Sequence, residues 1–409
     1  MVEIRQKFDD THIPVEQIPE VIKDQLGQEK IASKIKKGDR IAITVGSRGI
    51  ANIPLITRSI ADVVKSRGGI PFVVPAMGSH GGATAEGQRE VIEGYGVTEE
   101  AIGCKIIASM ETVEIGKNAD GGPVRMDKNA YEADGIIVAG RIKPHTGYRG
   151  DYESGLMKMM AIGLGKQAGA ELIHQEGFKY MAYNIPLYGK AILKHANVIA
   201  GLAILENAYD RTRELIGLTP DEIITEEPKI LPRAKSYMAR ILFDTCDVLV
   251  IDKIGKNISG DGMDPNISGR FPTPYATGGI DAQRVSVLGL TEETHGNGCG
   301  IGLADFTTQR LYKEFDFEKT YPNAITNTVS GEMKLPMILY NDKQAIQAAI
   351  KSCNEIDRSK PRVVRIADTL SMEKLMISEF MMEEAKKNPN IEILGEPEPM
   401  IFNSEDNLW

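Results

Sequence analysis

The sequence is poor in the features that mark secreted, membrane-spanning or nucleic-acid-binding proteins. It holds four cysteines in 409 residues, with no CxxC spacing, which argues against a disulfide framework or a zinc knuckle. No run of about 18 apolar residues occurs, so no membrane span is predicted. The net charge of −9 lacks the basic footprint that nucleic acids and anionic membranes require. The first residues form no apolar leader, so the cytoplasm is the expected location.

The sequence does contain a regular alternation of β-branched and helical segments. Strands are predicted at residues 40–45, 70–74, 104–108, 135–138, 197–205, 248–251, 285–288, 362–366 and 391–394. Helices are predicted at residues 54–66, 86–95, 342–352 and 371–387. This alternation predicts an α/β fold with mainly parallel sheets flanked by helices.

The length of the chain predicts two domains. A charged segment with three prolines, residues 219–232, is the expected seam, because proline favours extended or turn conformations there. We therefore predict an N-terminal catalytic and cofactor-binding domain, residues 1–232, and a C-terminal domain, residues 233–409. In this prediction the C-terminal tail could pack against the first domain.

A glycine-rich loop, residues 78–84 (GSHGGAT), follows a predicted strand. His80 would then lie beyond the carboxyl end of that strand, where parallel sheets bind ligands. Gly81 and Gly82 would let the backbone approach a ligand, and Thr84 would cap the next helix. The alternative is a tight turn with a solvated His80.

A second histidine, His145, lies in residues 141–148 (RIKPHTGY), again after a predicted strand. Two histidines in such loops could act as acid and base on opposite sides of a substrate, because imidazole titrates near neutrality. The alternative is a structural histidine with hydrogen-bonded ring nitrogens.

A lysine among methionines, Lys158, follows in residues 155–166 (GLMKMMAIGLGK), and His174 comes shortly after. A lysine in apolar surroundings becomes nucleophilic when buried. The alternative is a helix whose methionines fill gaps in the core. Lys166 is a nearby rival for the same role.

Further cations follow strands elsewhere. Arg48 is placed to hold a carboxylate through its planar guanidinium. Lys253 and Lys256 lie in a glycine-rich loop, residues 252–264, and residues 294–302 form another. Both loops could bind anions, although their composition also suits plain turns.

His80, His145, Lys158 and His174, in that order and with GSHGGAT and KPHTGY around the first two, resemble the lactate racemase family. That family comprises nickel-pincer-nucleotide-dependent 2-hydroxyacid racemases and epimerases. The resemblance implies two α/β domains with the active site in the cleft between them. It also implies a nickel pincer nucleotide, pyridinium-3,5-bisthiocarboxylic acid mononucleotide nickel, as cofactor.

The resemblance also implies a role for each residue. His80 and His145 would be the acid/base pair, and His174 the protein ligand to nickel. Lys158 would tether the cofactor through a thioamide, and Arg48 would hold the substrate carboxylate. The reaction implied is inversion at C2 by proton-coupled hydride transfer to the cofactor.

Two departures from the family pattern bear on the substrate. The loop at residues 45–48 (VGSR) has no carboxylate, and an insertion at residues 149–153 changes the approach to the lysine. We therefore expect a 2-hydroxyacid other than, or in addition to, lactate. The extra cations Lys253, Lys256 and Arg149 suggest a sugar acid or a diacid. Either Lys158 or Lys166 could be the residue that tethers the cofactor.

The expected partners are a small 2-hydroxyacid and, transiently, the enzymes that make the cofactor. Neither nucleic acid nor membrane is expected, and homo-oligomerisation is left open. Two alternative functions are another metal-dependent enzyme, such as a lyase or dehydratase, and a non-catalytic cofactor-binding protein.

Overall fold

The computed structural model describes residues 1–409, apart from the side chain at position 326. It divides into two compact units. The N-terminal unit is Asp10–Met238, and the C-terminal unit combines Met1–Asp9 with Ala239–Trp409. The boundary at Met238 and Ala239 lies beyond the predicted seam, and the first nine residues belong with the C-terminal unit.

The strands, in chain order, are β1 Val2–Gln6, β2 Arg40–Val45, β3 Ile70–Pro75, β4 Lys105–Ile106, β5 Thr112–Lys117, β6 Pro123–Asp127, β7 Gly135–Arg141, β8 Val198–Glu206, β9 Thr212–Leu218, β10 Thr245–Ile254, β11 Asp281–Leu290, β12 Phe306–Thr308, β13 Met337–Leu339, β14 Val363–Ile366, β15 Lys374–Ile377 and β16 Ile391–Ile393.

The α-helices are α1 Ile18–Leu26, α2 Glu29–Ala32, α3 Ile53–Ser66, α4 Ala85–Gly94, α5 Glu99–Ile102, α6 Lys128–Tyr131, α7 Leu156–Lys158, α8 Lys166–His174, α9 Met181–His195, α10 Pro220–Tyr237, α11 Pro265–Ser268, α12 Gln309–Glu314, α13 Phe317–Asn327, α14 Asp342–Ser352 and α15 Met382–Ala385. Within the described residues, none of these helices combines the length and apolar character needed to cross a membrane.

The N-terminal unit is built on a sheet with the strand order β4-β3-β2-β7-β8-β9, parallel except for the last pair. Both faces of the sheet are buried. Ile41 and Ile43 of β2 pack against α1 and α3, whereas Ala42 belongs to the core that contains α7 and α9. Because β3, β2 and β7 are parallel neighbours, the loops that follow them emerge at one edge of the sheet.

The C-terminal unit holds a mixed sheet with the order β13-β12-β11-β10-β14-β15-β1-β16. The strands from β13 to β14 are parallel, and β15, β1 and β16 add antiparallel pairs. Val2 and Ile4 of β1 are fully buried in this unit's core. Burial of these side chains explains why the N-terminal strand joins the sheet of the distant second half. The predicted α/β fold with mainly parallel sheets is confirmed.

Two local predictions are wrong. Residues 371–387, expected to form one helix, contain strand β15, and only Met382–Ala385 is α-helical. Leu375 and Ile377 are buried alternately, with the two-residue period of a strand.

Residues 219–232, expected to be extended, begin helix α10 instead. Thr219 and Glu222 form a capping box, and Pro220 occupies the first turn, where proline is tolerated. The buried face of Ile223, Ile230 and Leu231 offsets the cost of the internal prolines.

Candidate active site

The loop after β7 presents His145 with both ring nitrogens engaged. Its Nδ1 accepts the backbone N–H of Gly147 at 2.9 Å, and its Nε2 lies 2.7 Å from the Nζ of Lys158. The backbone N–H of His145 donates to the carboxylate of Glu153 at 2.8 Å. These contacts hold the imidazole in one orientation, because turning the ring over would lose both nitrogen contacts.

The pattern constrains the protonation of His145 and Lys158. A neutral imidazole has one acceptor nitrogen and one donor nitrogen. Since Nδ1 accepts from Gly147, the proton lies on Nε2 and points at Lys158. Burial is the main cause that holds the pKa of His145 well below its ordinary value, in agreement with a neutral ring. A hydrogen bond from His145 Nε2–H to Nζ would require Lys158 to accept it as an unprotonated amine.

Lys158 ends the short helix α7, which continues into a π-helical turn, Met159–Leu164, and then into α8. Such π-helical turns occur frequently at functional sites. The carboxyl of Glu227 accepts the Met157 N–H at 3.0 Å and so caps the start of the helix. Burial raises the pKa of Glu227 to about 8. A Cβ at Gly155 would lie 2.0 Å from Glu227 Oε1, so any larger residue there would displace the Glu227 carboxyl.

His174 lies at the end of α8, one helical segment beyond Lys158. Its Nδ1 donates to the carbonyl of Ala170 at 2.7 Å, which leaves the lone pair on Nε2. Burial lowers its pKa, so the neutral ring is favoured. The ring of Phe178 lies 6.1 Å from His174 and 6.3 Å from His145, centroid to centroid. His145, Lys158 and His174 therefore lie close together beside Phe178.

His80 is exposed in the loop after β3. The N–H of Gly78 donates to Gly163 in the π-helical turn at 3.2 Å. The amide of Gln88, which is fully buried, donates to the carbonyls of Gly78 and His80 at 2.8 and 3.2 Å. The loop of His80 is therefore anchored on the helical segment that carries Lys158.

Gly81, Gly82 and Thr84 shape this loop. Gly81 has a φ of +65°, and a Cβ there would lie 2.5 Å from the backbone of Gly87. Gly82 has a φ of +63° and faces open space. Thr84 caps α4 by accepting the Gly87 N–H at 3.0 Å.

Lys166 is fully buried and engaged in the core. Its Nζ lies 3.3 Å from the carboxylate of Asp127 and donates to Gln88 Oε1 at 3.0 Å and to the carbonyl of Pro75. These contacts join β3, α4 and β6. Lys166 thus supports the His80 loop through Gln88, which bonds to the carbonyl of His80.

The remaining predicted cations are spread over both units. Arg48 is exposed in the loop after β2 and donates to the Ser47 carbonyl at 3.1 Å. Arg149 donates to the carboxylate of Glu153 at 3.3 Å. Lys253 and Lys256 belong to the C-terminal unit, where the Nζ of Lys256 donates to the Gly260 carbonyl.

The sequence did not reveal Gln88, Glu153, Glu227 or Phe178. Glu153 is 1% exposed and also binds the Nζ of Lys235 at 2.6 Å. Some of their partners lie far away in sequence, 78 residues for Gln88 and Lys166 and 70 residues for Glu227 and Met157, so no local pattern marks those contacts. The only signal was their position near the histidine loops.

Residues 2–180 match the family model described as the lactate racemase N-terminal domain. The structure resembles the lactate racemase apoprotein from Thermoanaerobacterium thermosaccharolyticum, with a TM-score of 0.50 and 13% identity over 90% of this chain and 99% of that one. It also resembles a crystal structure of a Thermotoga maritima protein, with a TM-score of 0.55 and 10% identity over the same shares. No curated protein matches the sequence at a significant level. At these identities the two structures support the fold alone.

Proposed function

Since residues 2–180 belong to the lactate racemase N-terminal domain family, we propose that the protein is a racemase or epimerase that inverts C2 of a 2-hydroxyacid. The observation that carries this proposal is the cluster of His145, Lys158 and His174, in which the first two hydrogen-bond at 2.7 Å. The missing carboxylate at residues 45–48 and the insertion at residues 149–153 favour a substrate other than, or in addition to, lactate.

The side chains of the cluster fit a nickel pincer nucleotide. His174 would be the protein ligand through Nε2, and its Nδ1–H bond to Ala170 is the outer contact typical of metal-binding histidines. One imidazole suffices because the other donors of such a complex are its own. When bound, this cofactor supplies a hydride acceptor for C2 of the substrate, which no side chain can provide.

Lys158 is favoured over Lys166 as the point of covalent attachment. A lysine must be unprotonated to attack an acyl carbon, and a hydrogen bond from His145 Nε2–H to Nζ would hold Lys158 in that form. The Nζ of Lys166 is buried against Asp127 and Gln88, which leaves it no path to a ligand without disrupting the core.

Proton transfer is assigned to His80 and His145, which would serve opposite faces of the substrate. Each would exchange the proton of the 2-hydroxyl group in one direction of the reaction. Arg48, exposed at the same edge of the sheet, would hold the substrate carboxylate through paired hydrogen bonds.

The test reconstitutes the full chain with the cofactor and follows the stereochemistry of a panel of 2-hydroxyacids, including lactate, sugar acids and diacids. We expect racemisation or epimerisation of at least one acid without a change of mass. His145→Ala should slow turnover by about 10²- to 10⁴-fold. His12→Ala, at an exposed histidine outside the cluster, serves as the matched control.

The outcomes separate the alternatives. A product of altered mass would indicate a lyase or dehydratase and refute the isomerase. Full nickel loading without turnover across the panel would refute the proposed substrate class. Cofactor binding that persists in His80→Ala and His145→Ala, with no activity in any form of the protein, would support a non-catalytic binding protein.

A further inference from the structure

Three segments of the C-terminal unit meet beyond the carboxyl ends of β10 and β11. They are the loop at residues 255–264, the loop at residues 291–303 and the helical turn Ser330–Met333. The N–H of Lys256 donates to Thr294 Oγ1 at 3.0 Å, which joins the first two segments. The N–H of Gly300 donates to the carbonyl of Glu332 at 3.0 Å, which joins the last two. Ligands of parallel sheets bind at this edge.

The first two segments touch backbone to backbone. Gly262 has a φ of +71°, and a Cβ there would lie 2.0 Å from the carbonyl oxygen of Cys299. Gly300 has a φ of +88°, and its Cβ would lie 1.7 Å from the carbonyl oxygen of Asp261. Only glycine permits both approaches, so the positions of Asp261 and Cys299 relative to each other are fixed by the fold.

Asp261, Cys299 and Glu332 form an acidic cluster at this junction. Each offers one ligand atom, and these atoms lie within 4.8 Å of one another. Cys299 and Glu332 are both 1% exposed. Asn327 donates to one oxygen of Glu332, but its Oε2 and the Oδ2 of Asp261 are buried without a hydrogen-bond donor among the described side chains. Buried carboxylate oxygens without a donor are costly and require a proton or a cation nearby.

We propose that Asp261, Cys299 and Glu332 bind one divalent cation of the zinc class. A tetrahedral zinc ion holds sulfur at about 2.3 Å and carboxylate oxygen at about 2.0–2.2 Å, which places its ligand atoms about 3.4–3.6 Å apart. The ligand atoms of the cluster lie within 4.8 Å of one another, so binding would draw them together by up to about 1.4 Å. A thiolate favours zinc over magnesium or calcium, which prefer oxygen alone.

The charges of the cluster match such an ion. Without an ion, Cys299 is a thiol that donates to the Gly260 carbonyl at 3.4 Å, and burial raises its pKa to about 12. Once the ion displaces this proton, two carboxylates and a thiolate would carry three negative charges, and Lys256, which interacts with Cys299 and Glu332, supplies one positive charge. The remaining double negative charge balances a divalent cation. Three protein ligands leave one position of a tetrahedral ion for water. The bound ion would cross-link the three segments.

A shared proton is the competing occupant. Burial, followed by the charge of Asp261, raises the pKa of Glu332 to about 7, so a proton between the carboxyls could also neutralise the pair. The thiol of Cys299 distinguishes a bound metal ion from a shared proton, since only a metal ion would recruit Cys299 as a thiolate ligand.

The test titrates chelator-treated full-length protein, without the nickel cofactor, with Co²⁺ as a spectroscopic substitute for Zn²⁺. We expect a thiolate-to-cobalt charge-transfer band that saturates at about one ion per chain and is lost when Zn²⁺ is added. Cys299→Ser should abolish the band. Cys353→Ser is the matched control, because Cys353 is a buried cysteine bonded to the Asp247 and Ala349 carbonyls elsewhere in the unit.

Asp261→Asn and Glu332→Gln preserve side-chain size and should weaken Co²⁺ binding by at least about tenfold. They keep the proposal testable if Cys299→Ser fails to fold. Absence of the band in the wild-type protein would overturn the proposal in favour of the shared proton. It would also be overturned by a band that survives in folded Cys299→Ser, or by unchanged affinity in both carboxyl variants.

Discussion

Replacing Lys166 with methionine should destabilise the N-terminal unit without removing the point of cofactor attachment. The Nζ of Lys166 lies 3.3 Å from Asp127 Oδ2, and both side chains are fully buried. That oxygen has no hydrogen-bond partner among the described atoms, so Lys166 is its compensating charge. Burial lowers the pKa of Lys166 and raises that of Asp127, and each charge opposes the shift of the other.

The expected loss is about 3–5 kcal/mol, the usual cost of removing one partner of a buried ion pair. A second change, Asp127→Asn, removes the orphaned charge, and the double variant should regain about 1–3 kcal/mol relative to additivity. Lys190→Met, at an exposed lysine of α9, is the control and should change stability by less than about 0.5 kcal/mol.

Urea unfolding can locate the effect. Far-ultraviolet circular dichroism reports the whole chain, whereas fluorescence of the single tryptophan, Trp409, reports the C-terminal unit. We expect Lys166→Met to shift the circular dichroism transition while the Trp409 transition stays in place. In protein made with the cofactor, the added mass should remain on the Lys158 peptide. Wild-type stability together with loss of that mass would refute the reasoning and make Lys166 the tether.

Three further changes test the supports of the site. Burial raises the pKa of Glu227 to about 8, so between pH 4.5 and 8 the folded state keeps a proton that the unfolded chain releases. The free energy of unfolding should therefore fall by up to about 5 kcal/mol as the pH rises from 4.5 to 8. Glu227→Gln should flatten this dependence in unfolding curves measured across that range, and an unchanged slope would count against it. Glu153→Gln should lower the free energy of unfolding by about 1.5–3 kcal/mol, because it weakens charged hydrogen bonds. It should also lower kcat more than it changes KM, because the backbone of His145 is held less firmly. A change in KM alone would argue against this role of Glu153. Gly81→Ala should lower the Tm and the activity together, because its Cβ would meet the backbone of Gly87, whereas full activity would show that the loop adapts.

Much of the fold follows from local pattern. Strands such as β2 and β7 are nearly continuous apolar runs, and that pattern alone predicts strands buried on both faces. Helix α14, Asp342–Ser352, begins and ends where it was predicted. The order of His80, His145, Lys158 and His174 was enough to suggest the family, and the match over residues 2–180 confirms that resemblance. The roles of the individual residues remain predictions.

Other features depend on partners far away in the chain. The N-terminal strand β1 pairs with Lys374–Ile377 and Ile391–Ile393, and no local signal reports such pairing. Helix α10 tolerates internal prolines because its buried face packs on the core. Tertiary packing overrides local propensity in both cases.

His80 and His145 could be singled out from the sequence because their loops follow strands of a parallel sheet, and strand order alone brings such loops to one edge. The protonation and burial of His145, Lys158 and Lys166 could not be predicted in this way. The ring nitrogen of His145 that carries the proton depends on the N–H of Gly147, and the buried state of Lys166 depends on Asp127. Desolvation and hydrogen-bond direction arise only when distant segments pack together, so only the structure distinguishes the surroundings of the two lysines.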